Sequence, residues 1–220
     1  ETWERIAKSL SKSPEMPKKI HKLYFDNSLY SEKISIPGIQ YSRNPYDASN
    51  GALVVNFNTV FIKITKNGHV YSAEKQTPLT LLARRLGEKM STGSHRIRIP
   101  SGQELSYAGE VIRAFLKKEG FSFEFSKSNT KPVISEDYLI YTHINKMTLS
   151  EIIEGMMRYS NNFTANQLLL RIGLELYGAP SSLRKGNMAI SQYLGKVLKI
   201  PPDEFVVMEG SGISRKNLFT

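Results

Sequence analysis

Residues 52–64, ALVVNFNTVFIKI, set Val60, Ile62 and Ile64 against Phe61 and Lys63, the alternation of a strand with one buried face. With the apolar run before Asn56, this predicts a hairpin turning at residues 56–59. Asn67-Gly68 marks a second tight turn, because both residues tolerate positive φ, and Val70 and Tyr71 continue the sheet beyond it. Further strands are expected at residues 95–99, 121–125 and 138–141. Between them, SYAGEVIRAFLKKEG places Val111, Ile112, Phe115 and Leu116 on one helical face, with Gly120 as a permissive C-terminal position.

The period changes in the second half. Thr148 with Glu151 forms a capping box, and Leu149, Ile152, Ile153, Met156 and Met157 follow at helical spacing, predicting a helix that stops near Tyr159. A second box, Thr164 with Gln167, predicts another helix through Leu168, Leu169, Ile172 and Leu176, ending at Gly178. A third is expected over residues 188–198, before Pro201-Pro202 forbids continuation. The polar stretch 126–137, which contains Pro132, reads as a domain crossing. The fold class is therefore α+β: a mixed, β-rich domain over residues 1–135, then a helical part over 136–220.

Composition narrows the chemistry. The 220 residues are 40% hydrophobic, enough for one sizeable core or two modest ones, and no apolar run reaches the roughly 18–20 residues of a membrane span. No signal-peptide pattern opens the sequence. With no cysteine, disulfides, thiolate zinc sites and cysteine nucleophiles are excluded. His21, His69, His95 and His143 stand far apart and outside any H-E-x-x-H pattern, so neither metal nor cofactor is expected. The net charge of +10 favours anionic surroundings, but Lys and Arg are spread along the chain in short doublets. That dispersion argues for solubility and against specific nucleic-acid binding.

The candidate chemistry lies between the first two helices of the second half, at Ser160-Asn161-Asn162. Ser160 and Asn162 could simply cap the following helix, satisfying N–H groups that lack partners. They also match the Ser-x-Asn element of active-site serine penicillin-recognising enzymes, which works beside Ser-x-x-Lys and Lys-Thr-Gly. The surrounding LSEIIEGMMRYSNNFTANQLLLRIG and the downstream EGSGISRKNLF resemble low-molecular-mass class C penicillin-binding proteins. LYFDNSLYS, YDASNGALVVNFNTV and SYAGEVIRAFLKKEG resemble the insertion that this family places between its first and second catalytic motifs.

This resemblance implies a β-rich inserted domain followed by the helical portion of a penicillin-binding, β-lactamase-like catalytic domain. It also implies a periplasmic or extracytoplasmic serine peptidase that cleaves D-Ala-D-Ala termini or D-amino-acid cross-links of peptidoglycan through an acyl-enzyme, with β-lactam antibiotics as suicide substrates. Ser160 would pass a proton toward the leaving amine, and Asn162 would hold a substrate carbonyl. Gly210, Ser211 and Arg215 would support substrate binding. Glu209 stands where a G-x-S-x-G elbow needs glycine, so Ser211 is not read as a nucleophile.

No Lys-Thr-Gly string occurs, and the Ser-x-x-Lys strings at 9–12, 128–131 and 182–185 read as accidental. The 220 residues are thus expected to be an internal, inactive piece lacking the nucleophile. The competing reading is a non-catalytic basic module that binds anionic cell-wall polymer. The charge is compatible with peripheral association with an anionic wall or membrane.

Overall fold

A computed structural model describes residues 2–31, 33–40, 42–125 and 128–220. Backbone contacts gather the chain into two units: Glu1–Asp26 with Leu53–Lys146, and Asn27–Ala52 with Met147–Thr220. Ser126 and Lys127, at the head of the expected crossing, lie outside the described residues.

The first unit holds helix α1 (Thr2–Lys12), strands β1 (Lys19–Ile20), β2 (Leu23–Phe25), β3 (Thr59–Ile64) and β4 (Val70–Ser72), helix α2 (Leu81–Gly87), strand β5 (Gly93–Arg98), helix α3 (Glu104–Lys118), and strands β6 (Ser122–Phe123) and β7 (Ser128–Thr130). β3 is the centre of an antiparallel sheet in the order β4-β3-β5, with Ile64 opposite both Val70 and Gly93. Its inward residues Val60, Ile62 and Ile64 are buried, as the alternation requires. They join Ile97, Ile99, Val111, Ile112, Phe115 and Leu116 in one apolar core. Burying each such side chain stabilises the unit by about 1.5–3 kcal/mol.

Two strand expectations fail for identifiable reasons. The hairpin at 56–59 does not form, because Asn56, Phe57 and Asn58 take φ of 50°, 56° and 50° in a tight turn that cannot extend a ladder. β3 pairs instead across the Asn67-Gly68 turn, where Gly68 has φ of 76°. Residues 138–141 form no strand: Tyr138 and Leu139 are both 75% exposed, so nothing rewards extension. The strand expected at 121–125 contracts to β6.

The second unit contains α4 (Leu149–Arg158), α5 (Asn162–Tyr177), α6 (Leu183–Lys196) and the antiparallel pair β8 (Phe205–Val206) and β9 (Leu218–Phe219). The Thr148–Glu151 capping box is present, with reciprocal bonds of 2.7 and 3.2 Å. The second expected box is not. α5 starts two residues earlier than Thr164, and Gln167 turns away to accept from Asn50 Nδ2 at 3.0 Å and to donate to the Gly51 carbonyl at 2.8 Å. α6 likewise begins before residue 188, because Ser182 caps it by accepting from Lys185 N–H.

α5 and α6 meet at glycines. A Cβ on Gly173 would lie 2.7 Å from Gly186 N, and one on Gly186 would lie 2.7 Å from the Leu169 carbonyl. The helices therefore approach backbone to backbone, a distance that larger side chains forbid. Segment 27–52 joins this unit through Ser31 N–H to the Ser181 carbonyl and Ser181 N–H to the Leu29 carbonyl, both at 2.8 Å.

Candidate active site

The turn between α4 and α5 is held from below. Ser160 N–H donates to Met157 O at 3.4 Å and Asn161 N–H to Met156 O at 2.9 Å, so the C-terminal carbonyls of α4 fix its path. Ser160 sits at φ of 49°. A left-handed conformation costs a non-glycine residue about 1–2 kcal/mol, which the flanking helices must offset.

Asn161, the middle residue, is the helix cap: its Oδ1 accepts from Thr164 N–H at 2.9 Å. The capping role open to Ser160 and Asn162 is therefore taken by their neighbour. Ser160 is exposed and Asn162 half-buried, and among the described residues neither side chain makes a hydrogen bond. The hydroxyl and the carboxamide are uncommitted to the local backbone.

The carbonyl of Asn162 is committed. It accepts from Asn166 Nδ2 at 3.2 Å, one helical turn on. Asn166 is buried, and its Nδ2 also reaches Glu209 Oε2 and Ser211 Oγ, each at 3.0 Å, while its Oδ1 accepts from Gly210 N–H at 2.8 Å. One carboxamide thus ties the Ser-x-Asn turn to the loop between β8 and β9, which carries Gly210, Ser211 and Arg215.

Glu209, only 2% exposed, is the centre of that loop. Its Oε2 accepts from the Ser211 amide at 2.7 Å and hydroxyl at 2.6 Å, and its Oε1 from Asn217 Nδ2 at 2.6 Å and Ser214 N–H at 3.3 Å. Burial by itself would push this carboxyl up. The bonds from Ser211, Asn166 and Ser214 outweigh it and hold the carboxyl below its usual value. A carboxylate so fully occupied anchors backbone; it has no lone pair to spare as a base.

Gly210 completes the docking. A Cβ there would lie 2.9 Å from the Ala165 carbonyl and 3.0 Å from Leu169 Cβ, so only glycine lets the loop lie on α5. Ser211 is half-buried in the network, whereas Arg215 is exposed and is not drawn into it by any bond among the described residues. Two members of the network escape motif reading. Asn166 had a signal: a lone carboxamide on the face of Phe163, Leu169 and Leu170 is a polar group that must be satisfied inside. Glu209 served only as the residue that breaks a nucleophile elbow.

The Ser-x-x-Lys strings are used elsewhere. Ser9 and Lys12 lie in α1, Ser128 opens β7, and Ser182 caps α6 while Lys185 Nζ donates to the Gly178 carbonyl at 2.7 Å. Among the described residues no three His, Cys, Asp or Glu side chains converge as a metal site.

Known proteins resemble this chain in sequence and in fold. The chain is 29% identical over 113 residues to the D-alanyl-D-alanine carboxypeptidase DacB of Haemophilus influenzae, covering 51% of this chain and 23% of that protein. It is 26% identical over 256 aligned positions to the penicillin-sensitive carboxypeptidase A of Dictyostelium discoideum, covering 97% of this chain and 48% of the relative. The chain thus spans about half, or less, of the relatives it matches. Penicillin binding protein 4 (dacB) from H. influenzae superposes with a TM-score of 0.70 at 20% identity, over 94% of this chain and 52% of that one. A second structure of that protein, complexed with a novel β-lactam, gives 0.65 at 19% identity over 99% and 53%. The α+β architecture is therefore that of the matching portion of penicillin binding protein 4. The family match over residues 86–220 takes in α3, the Ser-x-Asn turn and the Glu209 loop, and through it the chain belongs to the D-Ala-D-Ala carboxypeptidase 3 (S13) family.

Proposed function

We propose that this chain contributes the Ser-x-Asn side of a peptidoglycan serine peptidase, an extracytoplasmic enzyme that hydrolyses D-Ala-D-Ala termini or D-amino-acid cross-links and is acylated by β-lactams. Ser160 relays a proton toward the leaving amine, and Asn162 orients the substrate carbonyl. Gly210 and Ser211 act as positioning residues through Asn166 and Glu209, with Arg215 as an outer contact for substrate. The division into an insertion domain up to about residue 135 and a catalytic helical part beyond it belongs to the same proposal.

The observation that carries this reading is the commitment of Asn161, rather than Ser160 or Asn162, to the helix cap. A turn that uses its middle residue for structure and keeps two polar side chains unbonded on either side suits reaction chemistry better than helix termination. The fixed position of the Asn162 carbonyl on Asn166 supports it further.

The test uses a polypeptide that also carries the family's Ser-x-x-Lys and Lys-Thr-Gly elements, assayed with fluorescent penicillin and a D-Ala-D-Ala peptide. Ser160→Ala and Asn162→Ala should each slow acylation by about 10²–10⁴-fold with the far-ultraviolet circular dichroism unchanged. The Asn161→Ala variant should lose helix stability without a comparable loss of acylation. The 220-residue polypeptide alone should stay unlabelled. Normal acylation by both the Ser160 and Asn162 variants would sink the assignment and leave the wall-binding reading.

A further inference from the structure

The basic residues that look dispersed in the sequence are partly gathered in space. In the first unit, Arg5, Lys8 and Lys12 of α1 and Lys146 of the segment before α4 line one pocket of about 310 Å³. That is the lower end of the roughly 300–1,000 Å³ of small-molecule sites. Arg5 to Lys8 and Lys8 to Lys12 are i,i+3 and i,i+4 pairs on one helix face, where like charges repel. Among the described residues no carboxylate forms an ion pair with any of the four cations; Glu4, the nearest acidic neighbour on α1, is bonded to Lys118 at 2.7 Å. The attraction of Glu4 for Lys8 one turn away offsets only part of this repulsion.

A second observation is independent of charge. Arg5 Nε and His143 Nε2, both on residues lining the pocket, are buried nitrogens without a hydrogen-bond partner. Buried polar groups are nearly always paired, so Arg5 Nε–H calls for an acceptor that the chain itself does not provide, and His143 Nε2 joins it as a second donor when protonated. Ser9, one turn from Arg5, adds a hydroxyl to the wall, and Tyr141 adds a phenol. The lining side chains are thus cations and donors, with Ile144 as an apolar flank.

We propose that this pocket binds a phosphoryl group. Four cations and several donors match a ligand with more than one negative charge and three or more acceptor oxygens, and they exceed what a single carboxylate can engage. Arg5 presents its planar fork while the three lysines supply point charges around the same oxygens. The phosphoryl group belongs either to a soluble phosphate ester or to the headgroup of an acidic phospholipid. This site lies apart from the Ser-x-Asn turn in sequence and in unit, and its fate does not depend on the peptidase reading.

The 220-residue chain is titrated with inorganic phosphate at physiological salt by calorimetry and by backbone amide shifts, and is sedimented with vesicles of phosphatidylcholine containing phosphatidylglycerol. Saturable phosphate binding with shifts at α1 and residues 141–146 is expected. The K8Q/K12Q double variant and the separate K146Q variant should weaken it by about tenfold or more. A charge-matched K66Q/K89Q control in the same unit should stay within about twofold. Vesicle binding that phosphate competes away identifies the lipid as the source; phosphate binding without vesicle binding identifies a soluble ester. Non-saturable binding, or equal losses in site and control variants with the fold intact by circular dichroism, overturns the proposal.

Discussion

The two units solve the problem of a stable interior differently. The first is held by apolar area: β3 and α3 contribute Ile62, Ile64, Val111, Ile112 and Phe115 to a continuous core. The second buries Asp47, Asn50, Asn166, Ser181, Glu209 and Ser214, and joins α5 to α6 through glycines. Its α4 buries no residue, and Leu149, Ile153 and Met157 along one stripe are 61%, 40% and 70% exposed. An interior made of area is indifferent to the exact direction of each contact; one made of hydrogen bonds is not. The first unit also buries Asn58, Thr59, Thr80 and Arg113, and the second buries Phe163, Leu169, Leu170 and Phe205, so the difference is one of proportion: the unit that carries the candidate chemistry relies more on directional bonds.

The largest effect that would probe this contrast is a deletion in the first unit. Ile62→Ala should cost about 2–5 kcal/mol, read as a lower urea midpoint by fluorescence of Trp3, which packs against that core. By contrast, Ile153→Ala on α4 should cost less than about 1 kcal/mol, because little area is lost there. Comparable losses at the two sites would erase the distinction.

Next in size, Glu209→Gln should destabilise the second unit by about 2–3 kcal/mol at neutral pH, since an amide N–H₂ then faces donors that had shared a carboxylate. Faster amide exchange in α5 and in the β8–β9 loop would report it. The same substitution carries a pH signature. Because folding holds the Glu209 carboxyl below its usual value of about 4.3, it adds stability that is complete above that pH and is lost as pH falls through the lower folded value. The parent chain should therefore lose stability in the second unit on acidification below about pH 5, and the Gln variant should show a flatter profile there.

An addition rather than a deletion should damage the helix pair. Gly173→Ala places a methyl group 2.7 Å from Gly186 N, and forcing α5 and α6 apart should cost about 1–2 kcal/mol, seen as faster exchange along both helices. The smallest effect is at the surface. Thr148→Ala removes the reciprocal cap of α4 and should lower stability by about 1 kcal/mol, with fraying confined to the first turn by amide exchange.

What could be read in the chain was whatever repeats locally. The alternation of Val60, Ile62 and Ile64 announced a strand, the Thr148–Glu151 box announced the start of α4, and Asn67-Gly68 announced the turn into β4, since each depends on neighbours a few residues away. The order of the Ser-x-Asn turn and the Glu-Gly-Ser-Gly loop was legible as a family pattern. Their physical connection was not. Asn166 links residues 162 and 209–211 across more than forty positions, and no periodicity encodes such a bond.

Local signals also misled where a long-range partner was stronger. Gln167 looked like a capping residue but bonds Asn50 and Gly51, far upstream, and the run before Asn56 looked like a strand but ends in three left-handed residues. The sequence by itself determined the fold class, the helical nature of the second half and the place of the Ser-x-Asn turn, because spacing and capping act within one or two turns of chain. Only the tertiary structure decided that residues 27–52 belong with the helices, that Asn161 is the cap, and that scattered cations share a pocket. Those outcomes depend on which distant groups satisfy each buried donor and where a missing Cβ lets backbones touch, and distance along the chain carries no record of either.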